Sequence, residues 1–136
     1  MDVAKDAANR RRTVYGLVDR QELPGLFRSF DFPSPDQSIG RRSQTTVPQQ
    51  ALFSMNSSFV VAQARALAAA AGGSPGPERI KSLYSRVYQR LPKDRERGDG
   101  LEFIGALAAG GGRNNFGPWE QYAQVLMSTN EFFFVD

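Results

Sequence analysis

Ile80-Lys81-Ser82-Leu83-Tyr84-Ser85-Arg86-Val87-Tyr88-Gln89-Arg90-Leu91 decides the fold class. Its apolar residues (Ile80, Leu83, Tyr84, Val87, Tyr88 and Leu91) recur at i, i+3, i+4, i+7 and i+8, and so on to Leu91. That is one face of a helix at 3.6 residues per turn. A half-buried strand alternates every second residue, and this run does not. Pro77 upstream suits a first helical turn, and Leu91-Pro92 is a stop, because a proline disfavours helix at the residue before it.

The same period continues on either side. Downstream, a helix is expected from Lys93-Asp94, with Leu101, Ile104, Leu107 and Ala108 on one face. Gly98, Gly100 and Gly105 weaken it, each by roughly 1 kcal/mol relative to alanine. Gly110-Gly111-Gly112 ends it. The last helix opens at Gly117-Pro118 and marks one face with Trp119, Tyr122, Ala123, Leu126, Asn130 and Phe133. Upstream, a helix from about Phe59 to Ala71 ends at Gly72-Gly73. Before it, Thr45-Thr46-Val47-Pro48-Gln49 has the order of an N-terminus: Thr46 as N-cap, Pro48 in the first turn, Gln49 at the capping-box position. Leu52, Met55 and Phe59 follow at core spacing. Asn56-Ser57-Ser58 competes for backbone hydrogen bonds, so a kink or a fresh N-cap is expected there.

The first third is different. Residues 1–9 are polar and alanine-rich, a lead-in. Thr13-Val14-Tyr15-Gly16-Leu17-Val18 is a β-branched and aromatic run, too short to separate a strand from an extended arm. Leu26, Phe27 and Phe30 have the spacing of a short helix after Pro24-Gly25. Phe32-Pro33-Ser34-Pro35-Asp36 enforces an extended loop, and residues 34–44 are polar. The expected architecture is mainly α. It is a small bundle of four to five helices with an irregular N-terminal arm, either short-stranded or extended. One domain spans 10–136, with an irregular half at 10–45 and a helical half at 46–136.

Composition narrows the function. The 136 residues are 40% hydrophobic and 23% charged, so one ordinary core is available without disulfides. There is no histidine and no cysteine. Haem attachment through C-x-x-C-H, the common zinc sites and Ser-His-Asp or Cys-His catalysis therefore cannot be built from this chain. No cofactor or metal is expected within it. The net charge of +3 is small and scattered over Arg10–Arg12, Arg41-Arg42 and the run Arg86, Arg90, Lys93, Arg95 and Arg97, which Asp94 and Glu96 interrupt. Solvated faces explain that pattern better than nucleic-acid binding, which concentrates basic charge on one face. No apolar run approaches the ~18 residues of a membrane span. Residues 1–6 lack the apolar stretch of a secretory signal.

Other chemistry finds little support. Asp31 and Asp36 flank the proline turn, where aspartates usually bond local backbone; no D-x-[DN]-x-[DN]-G loop argues for a cation. The glycine runs lack the context of a phosphate-binding loop. Tyr84, Tyr88, Trp119, Tyr122, Phe132 and Phe133 have the spacing of core residues, with a sugar or peptide groove as the alternative. Arg65 and Arg86 lie among apolar neighbours, with Glu102 and Glu120 as candidate ion-pair partners.

Four segments in order resemble planctomycete-specific domain one, a domain of unknown function found beside cytochromes. They are Arg11-Arg12-Thr13-Val14-Tyr15, Phe30-Asp31-Phe32-Pro33-Ser34-Pro35-Asp36, Thr45 through Ser57, and the closing Leu126 through Asp136 with Ser128, Asn130, Glu131 and Phe132. The chain is similar to the C-terminal part of that domain. The resemblance implies a large, exported, multidomain parent, at the periplasm or cell surface, that often carries a cytochrome-c-like haem domain elsewhere. It implies no catalytic residue. The polar positions matching its motifs are Arg11, Asp31, Arg42, Thr46, Gln50, Asn56, Asn130 and Glu131.

These residues suggest a structural junction, in which Arg11, Asp31 and Arg42 tie to Asn56, Asn130 and Glu131. The chain is then a non-catalytic interaction or scaffolding module whose partners are other domains of the parent, or a surface glycan or protein. The alternative is a carboxylate enzyme site, with a glycan as its candidate substrate, that uses Asp31 or Glu131 and is completed by other domains. Nucleic-acid binding is the weakest of the three.

Overall fold

The computed structural model describes residues 15, 18–19, 21, 25–30, 32–34, 36, 38, 40, 48–110 and 115–133. Among the described residues there are seven helices and no strand, so the mainly α expectation holds. Five of the seven are the longer helices that the periodicity predicts. The other two are single turns. Of the β-branched run at 13–18, only Tyr15 and Val18 are described, and neither is in a strand. The chain forms two compact units, Met1–Phe59 and Val60–Asp136.

In the first unit, α1 (Gly25–Ser29) is the short helix expected after the Pro-Gly turn. Its Phe27 is buried and stacks on Phe32 at 4.9 Å. The backbone N–H of Phe32 donates to the Phe27 carbonyl at 2.9 Å, which closes the loop over that ring pair. α2 (Pro48–Asn56) turns an unexpected face inward. Leu52 and Met55, predicted as core, are exposed, and Ser54 is buried. Phe53 explains the rotation: its ring meets Phe30 edge-on at 5.5 Å, and Gln50 Nε2 donates to the Ser29 carbonyl at 2.9 Å. Positions 50, 53 and 54 share one helical face. Ser54 tolerates burial because its hydroxyl donates to the Gln50 carbonyl one turn back, at 3.0 Å.

The break expected at Asn56-Ser57-Ser58 is present, with α3 running over Ser58–Ala70. In the second unit the core joins Ala64, Ala68 and Ala71 to Ile80, Leu83, Tyr84, Tyr122, Ala123 and Leu126. The α3 contribution is all alanine, and small side chains there leave room for the larger ones facing them. α3 ends where Arg79 Nη2 donates to the Ala68 carbonyl at 2.8 Å. A cation at the carbonyl end of a helix is favourably placed. The same guanidinium lies 4.4 Å from the centre of the Trp119 ring.

α4 (Gly76–Tyr88) buries Ile80, Leu83 and Tyr84, as its period predicts. It stops before the expected Leu91-Pro92 boundary. Gln89 adopts a left-handed conformation, φ 57°, and caps the helix, so Leu91 leaves the apolar face and is exposed. α5 (Asp94–Ala109) follows. The centre of its buried face is Gly100, whereas Leu101 and Ala108, two of the four residues predicted to face inward, are exposed. α6 (Pro118–Met127) starts with Pro118 in the first turn and buries Tyr122, Ala123 and Leu126. At its end the Ser128 hydroxyl donates to the Gln124 carbonyl, and the Ser128 N–H to Val125. The predicted face breaks there, and Asn130 and Phe133 belong to a separate turn, α7 (Asn130–Phe133), which buries no residue.

Candidate functional site

The second unit carries a groove of about 330 Å³ between α4, α5, α6 and α7. Its floor is aromatic. Tyr84 and Tyr122 belong to the core but also face the groove, and Tyr88 and Phe103 extend the wall. Tyr84 and Tyr88 pack edge-to-face at 5.1 Å, and Phe103 lies 5.9 Å from Tyr122. Tyr84, Tyr88, Tyr122 and Trp119 therefore follow the core expectation made from their spacing, while Phe132 and Phe133 are exposed.

Gly100 makes the floor possible. A Cβ at that position would lie 2.9 Å from Tyr122 Cζ and 3.1 Å from Ile80 Cδ1. Only a residue without a side chain lets the hydroxyl end of Tyr122 come this close to α5. Gly98 and Gly105, which the sequence places in the same class, face open space.

The polar edge is organised by Arg90, the second residue past the end of α4. Its Nη1 donates to Glu96 Oε2 at 2.9 Å and its Nη2 to Glu96 Oε1 at 2.8 Å. Its Nε donates to Glu131 Oε1 at 2.6 Å, and Nη2 also donates to Glu131 Oε2 at 2.8 Å. Nη1 further reaches the Leu91 carbonyl at 3.1 Å. Two carboxylates from α5 and α7 are thus held by one planar fork, the arrangement for which arginine is suited and lysine is not. The guanidinium carbon lies 5.3 Å from the Tyr84 ring centre and 5.5 Å from that of Tyr88. Glu96 has a second task. Its Oε2 accepts the Lys93 backbone N–H at 2.7 Å and so caps the first turn of α5.

A second polar link joins α4 to the end of α6. The Tyr88 hydroxyl lies 2.9 Å from Thr129 Oγ1 and donates to the Leu126 carbonyl at 3.0 Å. Thr129 Oγ1 lies 2.9 Å from the same carbonyl, so the two hydroxyl protons are shared among the three contacts.

These contacts fix protonation. The Arg90 hydrogen bonds bring the Glu96 carboxyl down to about 2, against the opposing effect of its burial, with the Lys93 N–H adding to the fall. Arg90 also lowers Glu131, and the two carboxylates in turn raise Arg90. Burial pushes the Tyr122 hydroxyl far up, with further increments from Tyr84 beside it and from the hydrogen bond between them. Burial likewise raises Tyr84 and Tyr88. Every one of these groups keeps a single charge state around neutral pH.

The residues singled out in the sequence are distributed over both units. Gln50 bonds Ser29 in the first unit, and Asn56 Nδ2 donates to the Leu52 carbonyl of its own helix at 3.1 Å. Asn130 is exposed at the start of α7, and Glu131 is engaged by Arg90. Arg11, Asp31, Arg42 and Thr46 lie outside the described residues. At Asp36 the backbone N–H approaches Ser34 Oγ at 3.5 Å. Arg65 pairs with Glu120 at 3.7 Å, one of the two partners expected, whereas Arg86 donates to Ser82 Oγ. Arg90 and Glu96, the centre of the site, are indistinguishable in the sequence from the solvated charges around them. The one available signal was Glu96 at the third helical position after Pro92-Lys93, where a capping carboxylate belongs.

Among the described residues no group of His, Cys, Asp and Glu side chains could hold a metal ion, and no helix is long and apolar enough to cross a membrane. Comparison with curated proteins and with solved structures finds no match. A family model does match, over residues 2–104, a stretch that takes in three of the four motif segments and most of α5 but not the closing segment at 126–136. The chain belongs to the PSD1 family, proteins of unknown function (DUF1553).

Proposed function

We propose that this chain is a non-catalytic interaction module of a larger exported protein, and that the groove edge on α5 and α6 is its contact surface. The observation that carries this is the contrast between the groove's polar groups and its apolar rim. Glu96 and Glu131 are consumed by Arg90 and stay ionised, and the three tyrosine hydroxyls stay protonated. A general acid or base must exchange its proton near the working pH, and none of these groups is tuned to do so. The rim instead leaves Phe103 and Val125 exposed. Large apolar side chains grouped on a surface mark contact sites.

The partners in this reading are other domains of the same parent. Any haem chemistry resides in those domains, because this chain has neither histidine nor cysteine to attach or ligate haem in the usual way. The test is calorimetric titration of this chain against the remaining domains of its parent, expressed separately. Binding that weakens more than about tenfold in the Phe103→Asp and Val125→Asp variants is expected. No binding by the wild-type chain, or equal binding by both variants, contradicts the reading.

A further inference from the structure

We propose that α7 is a hinged lid on the tyrosine groove, latched by Arg90 through Glu131. This rests on the groove being a contact surface, and it adds how the tyrosine floor beside the exposed α5 and α6 edge is uncovered. Thr129 and Glu131 form one wall of the groove, so the segment that carries them determines how far Tyr84 and Tyr88 are covered.

Three features make that segment a lid and not a fixed wall. First, α7 is a four-residue turn that buries no residue, and so short a helix has no stability of its own in water. Second, its hinge is built in. The N–H groups of Ser128 and Thr129 reach back three residues, to the Val125 carbonyl at 3.0 Å and the Leu126 carbonyl at 3.4 Å, which tightens and ends α6, and the Thr129 carbonyl then accepts the N–H groups of Phe132 and Phe133 at 3.2 Å each. Third, the ion pair that joins α7 to Arg90 is partly in solvent: the side chains of Arg90 and Glu131 are 33% and 46% exposed. A pair so placed is short but weak, and salt screens it. The Tyr88–Thr129 contact sits at the hinge itself, so it holds the pivot and not the turn beyond it. Segments with few buried contacts open at a small fraction of the cost of unfolding. Glu96 keeps its own grip on Arg90 when Glu131 leaves, so the guanidinium stays paired in the open form.

The experiment reads the Phe132 and Phe133 backbone amides by hydrogen exchange, in the wild-type chain and in Glu131→Gln, at low salt and in 1 M sodium chloride. Glu131 is at the surface, so the isosteric amide leaves the fold intact. Exchange at both amides is expected to rise about threefold or more on either change. The amides of α5 and Glu78→Gln, which breaks a remote ion pair with Lys81, serve as controls and are expected to stay constant. A soluble gadolinium relaxation agent reports the groove in the same samples, and the Tyr88 ring protons are expected to relax faster in Glu131→Gln. Exchange at Phe132 and Phe133 that ignores both substitution and salt overturns the latch. Faster exchange with an unchanged Tyr88 ring overturns the lid, because α7 then loosens without uncovering anything. Neither result depends on a partner, so failure here is separable from failure of the contact-surface reading.

Discussion

Arg90 and Glu131, 41 positions apart, meet through two parallel hydrogen bonds of 2.6 and 2.8 Å. The same guanidinium holds Glu96 with two more. One side chain therefore ties the end of α4, the first turn of α5 and α7. Arg90→Ala is expected to destabilise the chain by about 1–2 kcal/mol in urea unfolding, the loss being limited by solvent at the pair. Arg90→Lys is expected to restore less than half of that, because an ammonium cannot engage two carboxylates in a fork.

Gly100 separates a functional glycine from an accidental one. Gly100→Ala drives a methyl into the hydroxyl end of Tyr122 and into Ile80, and is expected to cost about 1–3 kcal/mol. Gly98→Ala and Gly105→Ala meet nothing within 4 Å, sit in the same helix, and are expected to stabilise by about 0.5–1 kcal/mol each. Thermal unfolding of the three variants, side by side, measures the difference in sign.

Gln89 pays a backbone cost at the end of α4. Its φ of 57° is a region that glycine enters freely and other residues do not. Gln89→Gly is expected to raise stability by up to about 1 kcal/mol, reduced somewhat by the lost Gln89 contact to the Arg86 carbonyl and by the greater freedom of glycine when unfolded. The measurement is the denaturation midpoint, with an unchanged slope.

Acid tests the carboxylate tie. Glu96 is lowered in the folded chain, so its stabilising effect is complete above the ordinary carboxylate value of 4.5 and is lost as pH falls toward about 2. Glu131 is lowered as well and acts in the same direction. Wild-type stability is expected to drop through that window, and Arg90→Ala is expected to flatten the drop, since removing the cation returns both carboxyls toward their ordinary values. Circular dichroism melts from pH 5 to pH 2 give the comparison.

Much of the second unit was legible because helical period and burial agree there. Ile80, Leu83, Tyr84, Tyr122, Ala123 and Leu126 were predicted on inward faces and are buried. Agreement failed where one local contact outweighed the period. Phe53 against Phe30 turned α2 away from Leu52 and Met55. Gln89 ended α4 early, and Gly100 set the inward face of α5, where a sequence rule records only a helix-weakening residue. The site was the least legible part. Glu131 was singled out for its motif, but its partner Arg90 was hidden in a basic run, because an ion pair between residues far apart in the chain leaves no periodic trace.

Glu96 and Glu131 are structural ties of this groove, held by Arg90, with no proton to trade near neutral pH. Carbon-detected NMR titration of the Glu96 side-chain carboxyl tests this most directly. The expected midpoint is near 2, moving toward the ordinary 4.5 in Arg90→Ala. A wild-type midpoint at or above 4.5 contradicts it, and would return Glu96 to the candidates for acid–base chemistry.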